Sequence, residues 1–398
     1  MVMVIPAYGQ FSIAGKIIDA ETEEPLIGAN VILRENSRGV SSGPDGRFEI
    51  TNLDPGKYLL SVSFIGYRNF EKEIELIQNV NLKILLKPRA LQIEGLVVEA
   101  TRVGENSATT YTVLDQEKLS KINLGQDFPY LLDHTPGVVS FSDAGAGIGY
   151  SGLRIRGSDP SRVNVTINGI PLNDSESQAV FWVDLPDFAS SVESVQIQRG
   201  VGTSTNGSGA FGASINIETG KDSGVPLIQI DNSFGSFNTR KHTLTAHTGL
   251  IKEKLSLNIR LSEIASDGYI DRAESLLRSY FVSGTYSGNK SHIKLNIFSG
   301  KEVTYQAWDG VNEFNLLTDR TFNATGQIGP DSFYDNQVDD YKQNHYQLHY
   351  NYSASSNLAL ALSLHYTKGK GYFDDFHGFS RYSNPIPPFF FKYLLFKA

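Results

Sequence analysis

Two arginines stand out as chemistry-bearing residues because both close a β-patterned run: Arg156 in LRIRGSDP and Arg199 in SVESVQIQRG. A guanidinium is permanently charged and presents a fork of donors, and from the residues alone these two read either as solvated surface charges or as partners for carboxylates, not as groups for bond chemistry. Hydrolysis would require a nucleophile with a base, or a cluster of metal ligands. The chain has no cysteine, which removes thiolate nucleophiles and thiolate metal sites. Its eight histidines are scattered; His345 and His349 share a strand face, but an extended chain holds them about 13 Å apart. No metal and no cofactor are expected, and no enzymatic activity. Gly207 to Gly212 spell GxGxxG after a strand-like run, yet Ala213 to Ile217 continue as another strand. Without a following helix there is no N-terminal dipole to hold a pyrophosphate, so these glycines are read as a tight turn. The candidates for ligand contact lie in loops. Tyr150 ends one, Gln178, Phe181 and Trp182 end another, and Tyr305, Gln306 and Trp308 open a third. Aromatic faces with polar tips suit an amphipathic ligand.

The elements that would carry these residues are mainly β. From Phe11 to about Lys87 short alternating runs such as SIAGKIID and KYLLSVSFI are separated by turn clusters, Asp45-Gly46 and Asp54-Pro55-Gly56 among them, which predicts a small β-sandwich. Residues 1–10, an apolar run followed by small residues, read as the end of a secretory leader without its basic start. Residues 89–104 form a linker with an embedded β-prone run, Leu96-Val97-Val98-Glu99-Ala100, suited to adding a strand to another protein's sheet edge. Residues 105–220 read as a mixed α/β unit, with helices over Gln116–Leu124 and Asp127–Asp133, a Pro136-Gly137 break, and strands over Leu153–Arg156, Val163–Ile167 and Val192–Gln198. Asn168-Gly169 is a type I′ hairpin dipeptide.

Residues 221–398 change character. Seven runs of about ten alternating residues, from Leu227–Phe234 to Leu358–Lys368, match the length of strands that cross a bilayer. Gly235-Ser236 and Gly288-Asn289 predict tight turns, and residues 302–342 a long excursion. The closing Asn384–Pro388 and FFFKYLLFKA lack alternation and predict no strand. The formal net charge of -8 and the absence of a Lys/Arg cluster argue against nucleic acid.

The order Gly15, Pro25-Leu26, Gly28-Ala29, Asp45-Gly46, Pro55-Gly56 and Gly66-Tyr67 resembles the carboxypeptidase regulatory-like domain, a transthyretin-type sandwich. Thr135 to Val138, Ile155 to Gly157, Asn168 to Leu172 and VESVQIQRG before a Gly/Ser-rich loop resemble the plug of TonB-dependent outer-membrane receptors. The resemblance implies a periplasmic sandwich, a plug, and the first strands of an outer-membrane barrel. It further implies that Leu96–Ala100 is the box engaged by TonB and its inner-membrane energising complex, and that Arg156 and Arg199 lock the plug to carboxylates on the wall. The implied function is active uptake of a large extracellular ligand, an iron chelate in the first place, with cobalamin or an oligosaccharide as alternatives. Such receptors close with about 22 strands, so the chain is expected to be an incomplete receptor, as a frameshift or truncated gene model would produce. A non-transporting fragment, a β-adhesin and a soluble sandwich are the readings of other classes.

Overall fold

The computed structural model describes residues 11–20, 22–34, 38–64, 67, 69–86, 101–103, 109–201, 211–220, 225–288, 290–355, 358–377 and 389–397. The expected leader at 1–10 and the box at Leu96–Ala100 lie outside the described residues. Contacts divide the chain into two units, Met1–Ile93 and Glu94–Ala398.

The first unit is the predicted sandwich. Strands β1 (Phe11–Asp19), β2 (Asn30–Leu33), β3 (Arg38–Ser41), β4 (Arg47–Leu53), β5 (Gly56–Ser63), β6 (Phe70–Leu76) and β7 (Val80–Leu86) form two sheets, ordered β4-β1-β7 and β3-β2-β5-β6. Alternate side chains, such as Ile13, Leu33, Leu60 and Ile84, close the core between them. One pairing, β1 with β7, is parallel.

The second unit begins with the mixed α/β region. It contains β8 (Tyr111–Asp115), α1 (Gln116–Ile122), α2 (Phe128–Leu131), β9 (Val138–Ser142), β10 (Ser151–Ile155), β11 (Val163–Ile167), β12 (Ile170–Pro171), β13 (Val192–Arg199) and β14 (Ala213–Thr219). The central sheet runs β12-β11-β14-β13-β8. Both residues of the Asn168-Gly169 turn have positive φ, 53° and 78°, as a type I′ hairpin requires. Asp115 caps α1 by accepting from the Lys118 backbone N–H at 2.9 Å. Strand β14 begins at Ala213, immediately after Gly212, so a strand and not a helix follows the GxGxxG run.

Eight antiparallel strands make the wall: β15 (Leu227–Phe234), β16 (Arg240–His247), β17 (Leu255–Ser266), β18 (Ser275–Ser287), β19 (Ser291–Tyr305), then β20 (Gln327–Gly329) and β21 (Ser332–Phe333) as a small side hairpin, β22 (Val338–Ser355), β23 (Leu358–His377) and β24 (Phe389–Lys397). Neighbours in sequence pair throughout, β19 with β22 included. Polarity across this wall is inverted relative to a water-soluble sheet. Along β17 the polar residues Ser256, Asn258, Arg260 and Ser262 are buried, whereas Leu255, Leu257 and Leu261 are exposed. On β23, Leu358, Leu360, Leu362 and Leu364 are each more than half exposed. A hydrocarbon environment accepts such a face, and the polar face is covered by the plug-like region inside.

The structure corrects three expectations about the wall. The strands outrun the expected ten residues, reaching 15 in β19, 18 in β22 and 20 in β23. Backbone pairing continues past the apolar segment into Lys301, Asp339 and Lys342, since the ladder needs no lipid-facing side chains. The long excursion therefore narrows to 306–337, which also contains α3 (Glu313–Thr318). Finally, Phe389–Lys397 is a strand despite its unalternating apolar run, because β23 offers it a free hydrogen-bonding edge. The turn at Gly235 opens at the same end as 306–337, and the turn at Gly288 at the opposite end, as the up-and-down order dictates.

Candidate functional site

The functional geometry is concentrated where one plug segment, Trp182 to Ser191, lies against the wall. Pro186 precedes Asp187, and Asp187 adopts a left-handed conformation, φ 50° and ψ 27°, at the start of a 3-10 turn over Phe188–Ser191. That turn aims a wholly buried carboxylate at β16 and β17. Lys241 Nζ approaches one oxygen at 2.8 Å and Arg260 Nη1 the other at 3.5 Å. The hydroxyls of Thr243 and Ser262 donate to the same carboxylate at 2.6 and 2.8 Å, and Asn123 Nδ2 at 2.9 Å. Arg260 also donates to the Asp187 carbonyl at 2.7 Å, and Ser279 Oγ to the Pro186 carbonyl at 2.6 Å. Burial pushes the Asp187 carboxyl up, but Arg260, Lys241 and the donated hydrogen bonds outweigh it and hold the group well below the usual carboxylate range. Phe188 packs against Phe281 and Phe298 of the wall, sealing this latch from water.

The same segment meets the wall at Gly300 on β19. A Cβ there would overlap the Asp184 carbonyl and the Pro186 ring, so glycine is what lets plug backbone lie directly on strand backbone.

Beyond this contact a cavity of about 780 Å³ opens between the plug segment from Pro171 to Leu185 and strands β19, β22 and β23. Five carboxyl groups line it, of which three are buried, at most 5% exposed: Asp184 of the plug and Glu302 and Asp339 of the wall; Asp174 and Glu176 stand at its more open side. Tyr150 Oη donates to Asp339 and reaches Glu302 at 3.5 Å. Burial, and then the neighbouring Asp339, push the Asp184 carboxyl well above its ordinary range.

The sequence-predicted residues divide. Tyr150 and Trp308 come together edge to face with ring centres 5.4 Å apart, and Tyr150 and the exposed Phe181 line the cavity. Gln178 is exposed in the loop at φ 59°, its carbonyl accepting from Asn173. Trp182 is corrected to a core residue: it is 4% exposed and stacks on Phe128 at 5.1 Å. Its apolar ring gains more from that packing than from a water-facing loop. Tyr305 and Gln306 are likewise buried, donating to the carbonyls of Tyr334 and Val338. His345 and His349 both point inward, each Nδ1 held by a hydroxyl of β23, Thr367 and Ser363.

The described residues do not form the expected arginine lock to the wall. Arg156 Nη1 donates to the Arg199 carbonyl at 3.2 Å and Arg199 Nη1 to the Pro136 carbonyl at 3.0 Å. Among the described residues neither forms an ion pair with a wall carboxylate; they tie the plug's own loops to one another. Charge between plug and wall runs the other way, with the carboxylate on the plug and the cations on the wall. Sequence reasoning missed Asp187 because it sits in a loop without periodicity. A usable clue was present in the wall: Lys241 and Arg260 fall on the inward parity of strands whose other inward residues are small and polar, and an inward cation needs an anion.

One further arrangement concerns the segment after Ala100. The Thr101 carbonyl accepts from Gln198 and Asn216, and the Val103 backbone exchanges hydrogen bonds with the Gln196 amide. Arg102 pairs with Glu218 at 3.3 Å. The start of the plug is thus clasped onto β13 and β14.

Comparison with known proteins follows these divisions. Residues 13–98 match the CarboxypepD_reg-like domain, and residues 104–214 match the TonB-dependent Receptor Plug Domain. A curated relative, the TonB-dependent receptor SusC of Bacteroides thetaiotaomicron, is 25% identical over 245 residues, covering 60% of this chain and 24% of its own length. The chain thus spans about a quarter of that relative. Among solved structures, the ferric yersiniabactin uptake receptor FyuA of Yersinia pestis aligns with TM-score 0.55 and 14% identity over 69% of this chain and 43% of its own. The closed form of the ferric-catecholate import receptor Fiu of E. coli aligns with TM-score 0.55 and 18% identity over 74% and 43%. At these identities the likeness is one of fold.

Proposed function

We propose that this chain, which carries a TonB-dependent receptor plug behind a carboxypeptidase regulatory-like domain and seated on part of a β-barrel wall, acts in active uptake across the outer membrane. The observation that carries the reading is the Asp187 latch, a buried plug carboxylate held by Lys241 and Arg260 of the wall. A merely adhesive β-protein has no need of a separable domain latched inside its sheet. Uptake does need one, because the path must stay closed until energy is supplied and then open reversibly.

In this reading a ligand too large for passive pores settles on the outward face of the plug. TonB, driven by its inner-membrane complex, takes the edge of Leu96–Ala100 by strand addition in the periplasm. Tension passes into the clasp at Thr101–Val103, and so into β13 and β14, which carry the central plug sheet. Segment 182–191 leaves the wall and opens the path. No bond in the ligand is made or broken, so the protein works as a transporter and not as an enzyme. The cargo is an iron chelate in the first instance, with cobalamin or an oligosaccharide as alternatives.

Deleting Leu96–Ala100 in cells that produce the receptor tests the reading, with radio-iron chelate uptake and surface binding measured side by side. Uptake is expected to vanish while binding persists; undiminished uptake overturns the proposal.

A further inference from the structure

We propose that the cavity bounded by Asp184, Glu302 and Asp339 receives a positively charged organic group, a protonated amine or a guanidinium, carried by the ligand. The inference rests on the transport reading only for calling that ligand the cargo.

The argument begins with charge. Three carboxyl groups from three different segments are withdrawn from water around one cavity, and among the described residues no lysine, arginine or histidine pairs with any of them. The cation next to Glu302 in sequence is committed elsewhere: strand parity puts Lys301 on the opposite face, where it pairs with Asp340 at 3.4 Å. Such groups cannot all stay ionised side by side without a compensating charge.

Unmet hydrogen-bonding capacity points the same way. Oδ1 of Asp184 and Oδ1 of Asp339 are buried without a partner. So is Nε2 of His345, a cavity-lining ring only 5% exposed, whose other nitrogen is held by Thr367. The two carboxyl oxygens come from different elements, the plug and β22. Among the described residues, no three acidic or histidine side chains converge closely enough for a metal. A group with several N–H donors along a short chain fits better, since it reaches separate oxygens at once. Phe181, Leu172 and Tyr341 supply apolar walls for the alkyl stem of such a group. An anionic group would meet three carboxyls and is disfavoured there.

The experiment is calorimetric titration of the whole chain in detergent micelles at pH 8. Agmatine, which bears both an amine and a guanidinium, is the probe, N-butylurea the neutral analogue and calcium chloride the metal control. Agmatine is expected to bind one site, with Glu302→Gln and Asp339→Asn each weakening it at least tenfold. Glu253→Gln, at an exposed turn, should leave binding unchanged. No agmatine binding to the parent chain, equal binding of N-butylurea, equal loss in Glu253→Gln, or displacement of agmatine by stoichiometric calcium would each overturn the proposal. The neutral-analogue comparison uses the parent protein alone, so it decides the matter even where a variant fails to fold. Because binding is read without an energised membrane, a box deletion that leaves uptake intact would remove the transport reading and leave this site standing.

Discussion

Replacing Asp187 with alanine should unlatch the plug without touching either arginine of the sequence-predicted lock. The substitution leaves Lys241 and Arg260, each 2% exposed, buried beside an apolar methyl group, and strips Thr243, Ser262 and Asn123 of their common acceptor. Removing one partner of a buried ion pair costs about 3–5 kcal/mol, because the remaining charge is uncompensated. With about 1.4 kcal/mol per tenfold change, segment 182–191 should open roughly a hundred to a few thousand times more often. The chain has no cysteine, so a single Ala189→Cys reporter, at a site 6% exposed, can report opening through its rate of thiol labelling. Labelling should accelerate by that factor in the Asp187→Ala background. Adding Lys241→Met and Arg260→Met removes the stranded charges and should recover most of the protection. The pH dependence has a fixed sign: a carboxyl with lowered folded-state pKa stabilises above its unfolded value, about 3.9, and that contribution is lost as pH falls below it. A change in labelling of less than threefold, or a triple variant as loose as the single one, would refute the reasoning.

Gly300→Ala should separate plug from wall from the other side, since its Cβ would overlap the Asp184 carbonyl; the same labelling assay should show faster opening, and unaltered labelling would mean the backbones are not in contact. Asp127, buried in the plug, has its carboxyl raised to about 8 by desolvation, with the Ser151 hydroxyl offsetting part of the effect. Its folded-state pKa lies above the unfolded value, so stability present at pH 4 is lost as pH rises towards 8, at up to about 1.4 kcal/mol per pH unit. Asp127→Asn should remove this slope in urea titrations followed by Trp182 fluorescence in a Trp308→Phe background; an unchanged slope would assign the pH dependence to other groups.

Much of the architecture was legible because its causes are local. Period-two alternation in Leu255–Ile264 both identifies a strand and separates its lipid face from its polar face, and the burial of Ser256, Asn258 and Arg260 follows that parity. Asn168-Gly169 encodes its own turn through two positive φ angles. Strand ends were harder to place, since pairing extends wherever a neighbour offers an edge, as β23 does for Phe389–Lys397.

The residues that join plug to wall were not legible, and one physical reason accounts for most of them. Compensation of a buried charge depends on what lies opposite in space: Asp187 meets Arg260 across 73 residues of sequence, and Tyr150 meets Asp339 across 189. Arg156 and Arg199 looked like interface residues from their context, yet their nearest acceptors are carbonyls of the plug itself. Trp182 looked like a loop aromatic until packing placed Phe128 against it. The sequence by itself determined the first seven wall strands, which face each of them turns to lipid, and the order of sandwich, plug and wall, because those depend on neighbours along the chain. Only the tertiary structure decided which carboxylate latches the plug and which carboxyls share a cavity, because electrostatic pairing and desolvation act between surfaces that the sequence does not bring together.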